Sequence, residues 1–241
     1  MNVLSIGNSF SQDSQRYLHQ IAHADGVTLN TYNLYIGGCP LSLHYRNMIS
    51  EENAYYLEMN GVGTGFKVSL KDALLNRDWD FVTVQQVSHK STCYETFQPY
   101  LNKIAEFVRA CVPKAKIVIH QTWAYEQDSR RLNAELGYDT HTKMFNDIEN
   151  AYKNAAKDIK ADFIIPSGQL FQRLIASGVE KIHRDTFHAS YGLGRYALGL
   201  LWYAKLTGNK AGSNTFSDFD EEISCVNIEI AKKCVEEICN T

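Results

Sequence analysis

Short β-rich apolar runs alternate along the chain with stretches of helical periodicity. Val3 to Gly7 reads as a first strand, and Tyr17, Leu18, Ile21 and Ala22 then share one helical face. Leu29 to Ile36 reads as a second strand. Phe81 to Gln85 reads as a third, after the turn-like Asn76-Arg77-Asp78. Phe97, Tyr100, Leu101, Ile104, Phe107, Val108 and Cys111 recur at i, i+3, i+4, i+7 and predict an amphipathic helix that stops before Pro113. Ile117 to His120 is a fourth strand. Met144, Ile148, Ala151, Tyr152 and Ala155 mark another helix, and Phe163 to Ile165 is a fifth strand ended by Pro166. Two helices, at about residues 190–207 and 219–239, close the chain.

Strands interleaved with helices of this length predict βαβ crossovers. The fold class is therefore α/β, with a mainly parallel sheet of five strands covered on both faces. Residues 51–69 break the alternation and read as an inserted hairpin, with Asn60-Gly61 as its turn. No repeat, low-complexity tract or linker divides the 241 residues, so a single domain over 1–241 is expected.

Composition narrows the function classes. A net charge of −3 and no Lys/Arg block argue against a nucleic-acid partner, because neutralising phosphates needs a basic face. The longest nearly apolar run, Tyr196 to Ala204, is far short of the ~20 residues that span a bilayer, and it reads as a buried helix face. Met1-Asn2 leads straight into the first strand without a basic segment or cleavage site. The expectation is a cytoplasmic protein, or a secreted or periplasmic one whose signal has been removed. The 6 cysteines are scattered without a CxxC pair and are expected to be free and mostly buried.

Ligands of doubly wound sheets sit beyond the carboxyl ends of the strands. The residues there are Gly7-Asn8-Ser9-Phe10-Ser11, Gly37-Gly38-Cys39, Gln85-Gln86-Val87-Ser88-His89 and Gln121-Thr122-Trp123, with His183 to His188 after the fifth strand and its helix. Ser9, between strand and helix, exposes a hydroxyl near a helix N-terminus, where a developing oxyanion is favoured. Read alone it is more often an N-cap or turn serine, with Ser11 the better cap candidate because the acidic Asp13 lies in the turn that follows. In Asp185-x-x-His188 the i, i+3 spacing lets a carboxylate bond one imidazole nitrogen while the other faces the cleft. His183 extends this to His-x-Asp-x-x-His, open to a metal reading that no further ligand cluster supports. Glycine-rich 61–65 lacks the Gly-Lys-Ser/Thr of a phosphate loop. His19, His23 and His44 read as surface residues.

Gly7-Asn8-Ser9-Phe10-Ser11 and Asp185-Thr186-Phe187-His188 resemble the first and last blocks of the SGNH, or GDSL-type, hydrolase superfamily, with Gly-Asn-Ser replacing the usual Gly-Asp-Ser. Gly37-Gly38-Cys39 and Thr122-Trp123-Ala124-Tyr125 are similar to blocks of an uncharacterised bacterial branch carrying GNSFS. The resemblance spans roughly residues 2–207. It implies a three-layer α/β/α sandwich, flavodoxin-like, and ester hydrolysis through an acyl-serine. The implied catalytic residues are Ser9 as nucleophile, His188 as base and then acid, and Asp185 as its orienting group. The implied oxyanion hole uses the N–H groups of Ser9 and Gly38 and a third-block Asn side chain. The third block departs: Gly-x-Asn-Asp is absent, and Gln85-Gln86 stands there instead. Some sialate and xylan acetylesterases of the superfamily carry Gln at this point, which favours Gln86, with Gln85 and His89 as alternatives. Trp123 and Tyr125 are expected at the mouth, as packing surfaces for a sugar or acyl chain or as rim packed on neighbouring loops. The expected substrate is a small acyl ester, such as O-acetyl on carbohydrate. A lipase-like or thioester hydrolase, or a non-catalytic carbohydrate-binding protein, is the alternative. No cofactor, metal, nucleic acid or membrane is implied.

Overall fold

A computed structural model describes residues 1–240. In chain order the strands are β1 (Asn2–Gly7), β2 (Asn30–Tyr35), β3 (Tyr55–Met59), β4 (Val62–Val68), β5 (Phe81–Val84), β6 (Lys116–Gln121) and β7 (Phe163–Pro166). The helices are α1 (Ser9–Gln15), α2 (Leu18–Ala24), α3 (Leu41–Ser50), α4 (Leu70–Leu75), α5 (Tyr100–Cys111), α6 (His141–Ile159), α7 (Ser167–Ala176), α8 (Leu193–Thr207) and α9 (Cys225–Cys239).

Among the described residues the sheet has seven strands in the order β4-β3-β2-β1-β5-β6-β7. This corrects the expected five. β2, β1, β5, β6 and β7 run parallel, while the hairpin β3–β4 adds to the β2 edge in antiparallel register, with Tyr35 opposite Tyr56 and Asn33 opposite Glu58. The insertion therefore extends the sheet instead of standing apart from it. Its turn has the two positive φ angles of a type I′ turn, 51° at Asn60 and 80° at Gly61, which matches the twist of paired strands.

β1, β5 and β6 are buried almost throughout, as parallel strands covered on both faces must be. α1, α2, α7, α8 and α9 pack with one another, and α3, α4, α5 and α6 form the second group. The parallel strand order is flavodoxin-like, and it reverses at β1, so a crevice is expected beyond its carboxyl end. Ser9 follows there directly.

Several local expectations are revised by packing. His44 is buried rather than at the surface. It stacks on Tyr55 with ring centroids 5.6 Å apart, and burial pushes its pKa down to about 3. Of the six cysteines, all free, only Cys39 and Cys234 are buried. Among the described residues, no helix is long and apolar enough to cross a membrane.

Candidate active site

Each residue of the Gly7–Ser11 block has a local reason to be what it is. A Cβ on Gly7 would lie 2.1 Å from Ser11 Oγ, so only glycine lets α1 start this close to β1. Asn8, not Ser11, is the N-cap of α1. Its Oδ1 accepts from Phe10 N at 3.0 Å, while its own N–H donates to Ser11 Oγ at 3.1 Å, closing a reciprocal capping box. Ser11 thus serves the cap from within the helix. Ser9, the first residue of α1, is held at the positive end of the helix. Its N–H is one that a helix leaves without an internal partner.

The loop after α7 brings two distant residues to Ser9. Ser9 Oγ lies 2.8 Å from His188 Nε2, and His188 Nδ1 donates to Asp185 Oδ2 at 2.8 Å. The second oxygen, Asp185 Oδ1, accepts from His188 N at 2.9 Å and Phe187 N at 3.5 Å. Burial alone would push the Asp185 carboxyl up. The hydrogen bonds from His188 and its backbone outweigh that and hold it below the ordinary carboxylate range. An ionised Asp185 fixes the proton on Nδ1 and leaves Nε2 free to accept from Ser9.

Gly38 has φ +62° with open space around its Cα, and the next carbonyl, Cys39 O, accepts from Asn8 Nδ2 at 3.2 Å. That bond ties the Gly37-Gly38-Cys39 turn to the loop carrying Ser9.

The structure does not bring Gln86 into this group. Its Nε2 donates to Thr96 O at 2.9 Å and Thr96 Oγ1 at 3.2 Å, and its Oε1 accepts from Leu41 N and Val87 N. Gln86 is a buried rivet between the N-terminus of α3 and the segment after β5, with no amide hydrogen left for an oxyanion. Gln85 Nε2 instead donates to Asn8 Oδ1 at 2.7 Å. His89 is exposed on the short 3-10 turn Ser88–Lys90.

The two expected rim aromatics are likewise interior. Trp123 is fully buried, stacked between Phe10 (4.1 Å) and Phe171 (4.7 Å), and its Nε1 donates to Phe187 O at 2.8 Å. Tyr125 is buried with its hydroxyl 2.9 Å from Ser88 Oγ. Phe187, half-buried, takes the position beside His188, with ring centroids 3.9 Å apart and the Arg131 guanidinium over its face at 4.0 Å. Both aromatics follow a strand end, but the fold turns them inward, which local sequence does not encode.

His183 is no partner to Asp185. Its Nε2 donates to Ala124 O at 3.1 Å, its ring packs on Phe171, and burial lowers its pKa to about 4. Among the described residues, no group of three or more His, Cys, Asp or Glu is placed to hold a metal.

Asp13 and Arg184 belong to no motif that announces a link between them, yet folding joins them. Asp13, one turn after Ser9 on α1, is fully buried and accepts from Arg184 Nη1 at 2.9 Å and Arg195 Nε at 2.8 Å. A charged residue in a helix position flanked by Phe10, Tyr17 and Leu18 was the available signal.

The chain superimposes on a protein from Slackia heliotrinireducens provisionally assigned as an SGNH hydrolase. The TM-score is 0.62 at 23% identity, over 84% of this chain and 97% of that one. It also superimposes on Axe2, an acetylxylan esterase from Geobacillus stearothermophilus, with TM-score 0.51 and 12% identity over 87% and 95% of the two chains. The protein has the SGNH-hydrolase fold. A DUF4886 family protein from Bacteroides uniformis aligns with a TM-score of 0.92 and 30% identity, over 98% of this chain and 93% of that one. Residues 2–237 match the family described as Domain of unknown function (DUF4886), and the chain belongs to it. No curated protein matches it in sequence.

Proposed function

We propose that the protein is a serine hydrolase of carboxylic esters, acting on small acyl groups such as O-acetyl on carbohydrate. The observation that carries the reading is the continuous relay Ser9 Oγ to His188 Nε2 and His188 Nδ1 to Asp185 Oδ2, each step 2.8 Å. A serine hydroxyl is a weak nucleophile until a neighbouring base takes its proton, and that is the arrangement here.

In this mechanism Ser9 Oγ attacks the ester carbonyl while His188 Nε2 accepts its proton. Asp185 stabilises the imidazolium that results. The tetrahedral oxyanion is held by the N–H groups of Ser9 and Gly38, at the positive end of α1. His188 then returns the proton to the departing alcohol, leaving an acyl-Ser9. Water, deprotonated by His188, attacks that acyl group, and collapse releases the acid and restores Ser9. The preference for small acyl groups is supported by the fold shared with an acetylxylan esterase.

The test is fluorophosphonate labelling. Ser9 should be modified covalently, and Ser9→Ala should remain folded, unlabelled and inactive. A p-nitrophenyl ester series should favour acetate sharply over longer chains. Absence of labelling on folded parent protein would overturn the hydrolase reading. A preference for long acyl chains would replace the acetylesterase reading with a lipase-like one.

A further inference from the structure

The loop Asp185–Ala189 is tied down at four consecutive carbonyls by donors from three residues, two of them in the segment after β6 and the third Arg184 at its own start. Thr186 O accepts from Glu126 N at 2.7 Å, and Phe187 O from Trp123 Nε1 at 2.8 Å. His188 O accepts from Arg184 N at 3.0 Å, and Ala189 O from Arg184 Nη1. Arg184 therefore holds the loop twice, once with its backbone and once with its guanidinium. The loop is not relaxed: Thr186, β-branched, sits at φ +75°, a left-handed conformation that persists only where surrounding bonds enforce it.

The same Arg184 Nη1 donates to both oxygens of Asp13, at 2.9 Å each. Asp13 lies four residues after Ser9, on the same side of α1. One face of one helix thus carries two contacts to one loop: Ser9 to His188, and Asp13 to Arg184. Asp13 is itself fixed by Arg195 of α8, which also bonds Asp220, and the Tyr191 ring covers both guanidiniums, with Cζ at 4.7 Å for Arg184 and 4.5 Å for Arg195. A carboxylate fully removed from water and bonded by two arginines has one geometry open to it.

We propose that Asp13 and Arg184 are positioning residues, a clamp that keeps the Asp185–His188 loop in register with Ser9 so that Nε2 stays in hydrogen-bond reach of Oγ. This rests on the hydrolase reading above. Neither residue touches substrate or the reacting atoms. They act by removing alternative placements of His188 before substrate arrives, which is where preorganisation lowers a barrier.

The experiment compares Asp13→Asn, Arg184→Lys and Arg184→Ala with the parent and with Ile238→Ala, a core truncation on α9 remote from the loop that supplies a stability control. Outer residues that orient reacting groups typically change activity 10- to 100-fold. For Asp13→Asn and Arg184→Lys, kcat on p-nitrophenyl acetate and the fluorophosphonate labelling rate should both fall by that factor, with KM within two-fold. Ile238→Ala, at a similar loss of thermal midpoint, should keep the parent kcat. Arg184 is 17% exposed, so millimolar guanidinium should restore part of the rate to Arg184→Ala and none to Asp13→Asn. In proton NMR, the low-field Nδ1–H resonance of His188 should be sharp in the parent and broadened or lost in the clamp variants. Folded clamp variants with parent kcat and an unchanged His188 resonance would overturn the proposal, as would a kcat loss equalled by Ile238→Ala. A parent that hydrolyses no ester would overturn the hydrolase reading instead, and the His188 resonance would still decide the clamp.

Discussion

Gln85 Nε2 donates to Asn8 Oδ1 at 2.7 Å, and this bond sets the polarity of the buried network beneath Ser9. Asn8 Oδ1 must face α1, because it accepts from Phe10 N. Only the amide hydrogens of Gln85 can then meet it, so Gln85 Oε1 is turned toward His120, 2.6 Å from Nδ1. His120 therefore carries its proton on Nδ1. Burial pushes its pKa down to about 3, so it stays neutral, with Nε2 3.3 Å from Ser14 Oγ. The orientation of Gln85 just beyond β5 and of His120 on β6 follows from the capping of one helix turn.

The two adjacent glutamines should behave differently from oxyanion donors and from each other. Gln86→Ala leaves the N–H groups of Leu41 and Val87 without their acceptor. It should cost about 2–6 kcal/mol in urea unfolding, at ~1–3 kcal/mol for each of the two buried N–H groups left unmade. Its kcat should stay within a few-fold of the parent, far from the ~10²–10³-fold loss typical of an oxyanion donor. Gln85→Leu should lose similar stability and also reduce kcat, because Asn8 and the α1 cap shift with it. A hundred-fold kcat loss in a stable Gln86→Ala protein would restore Gln86 to the oxyanion hole.

Acid should destabilise the fold early. His44 and His120 are held neutral by burial, with pKa values near about 3, and His183 near about 4. An unfolded histidine titrates near ~6.5. Their folded values are lower, so the unfolded state binds more protons as pH falls, and stability present above ~6.5 is lost below it. Each contributes a slope of about 1.4 kcal/mol per pH unit, or roughly 4 for the three together. Asp13 and Glu58, whose carboxyls burial holds above their ordinary values, work in the opposite sense. Denaturant midpoints should change little from pH 7.5 to ~6.5 and fall steadily from there to pH 5, and a profile flat down to pH 5 would contradict the buried-neutral assignment.

Asp185→Asn should lower kcat by two to four orders of magnitude, since an amide neither favours the Nδ1–H tautomer nor stabilises the imidazolium. The acid limb of kcat/KM carries a second test. Asp185 is held below the ordinary carboxylate range, so it stays ionised through the acid limb. The logarithm of kcat/KM should then fall with a slope of one on acidification, as for a single titrating group. A limiting slope of two, with the protein still folded, would show that Asp185 titrates in the same range.

Gly7→Ala should misplace α1. The added Cβ meets Ser11 Oγ at 2.1 Å and Ser11 Cβ at 2.8 Å. Overpacking of this kind costs about 1–3 kcal/mol, and esterase activity should fall with it because Ser9 opens the same helix. Gly7→Ala combined with Ser11→Gly removes both contacts and should recover most of the stability. It should not recover the capping box. Equal stability of the single and double variants would mean that the backbone yields at little cost.

What the sequence determined by itself is what short-range periodicity and spacing encode. Alternating strands and helices specify the five parallel strands, because hydrophobic period follows from local geometry. Asn60-Gly61 specifies the turn, because only such residues accept two positive φ angles. Asp185 and His188 are within reach at i, i+3 whatever surrounds them, and Ser9 falls after β1 at the reversal point of the sheet. Tertiary structure decided whatever depends on a partner far along the chain. The hairpin joins the sheet because the β2 edge offers it unpaired backbone groups. Gln86 turns to Thr96 and Leu41, and Trp123 to Phe10 and Phe171. Asp13, ordinary in its helix, becomes the anchor of the loop carrying His188 only when folding brings Arg184 to it. The direction of a side chain at a strand end is set by which distant group can satisfy its polar atoms or cover its apolar ones, and that choice is made when the layers pack.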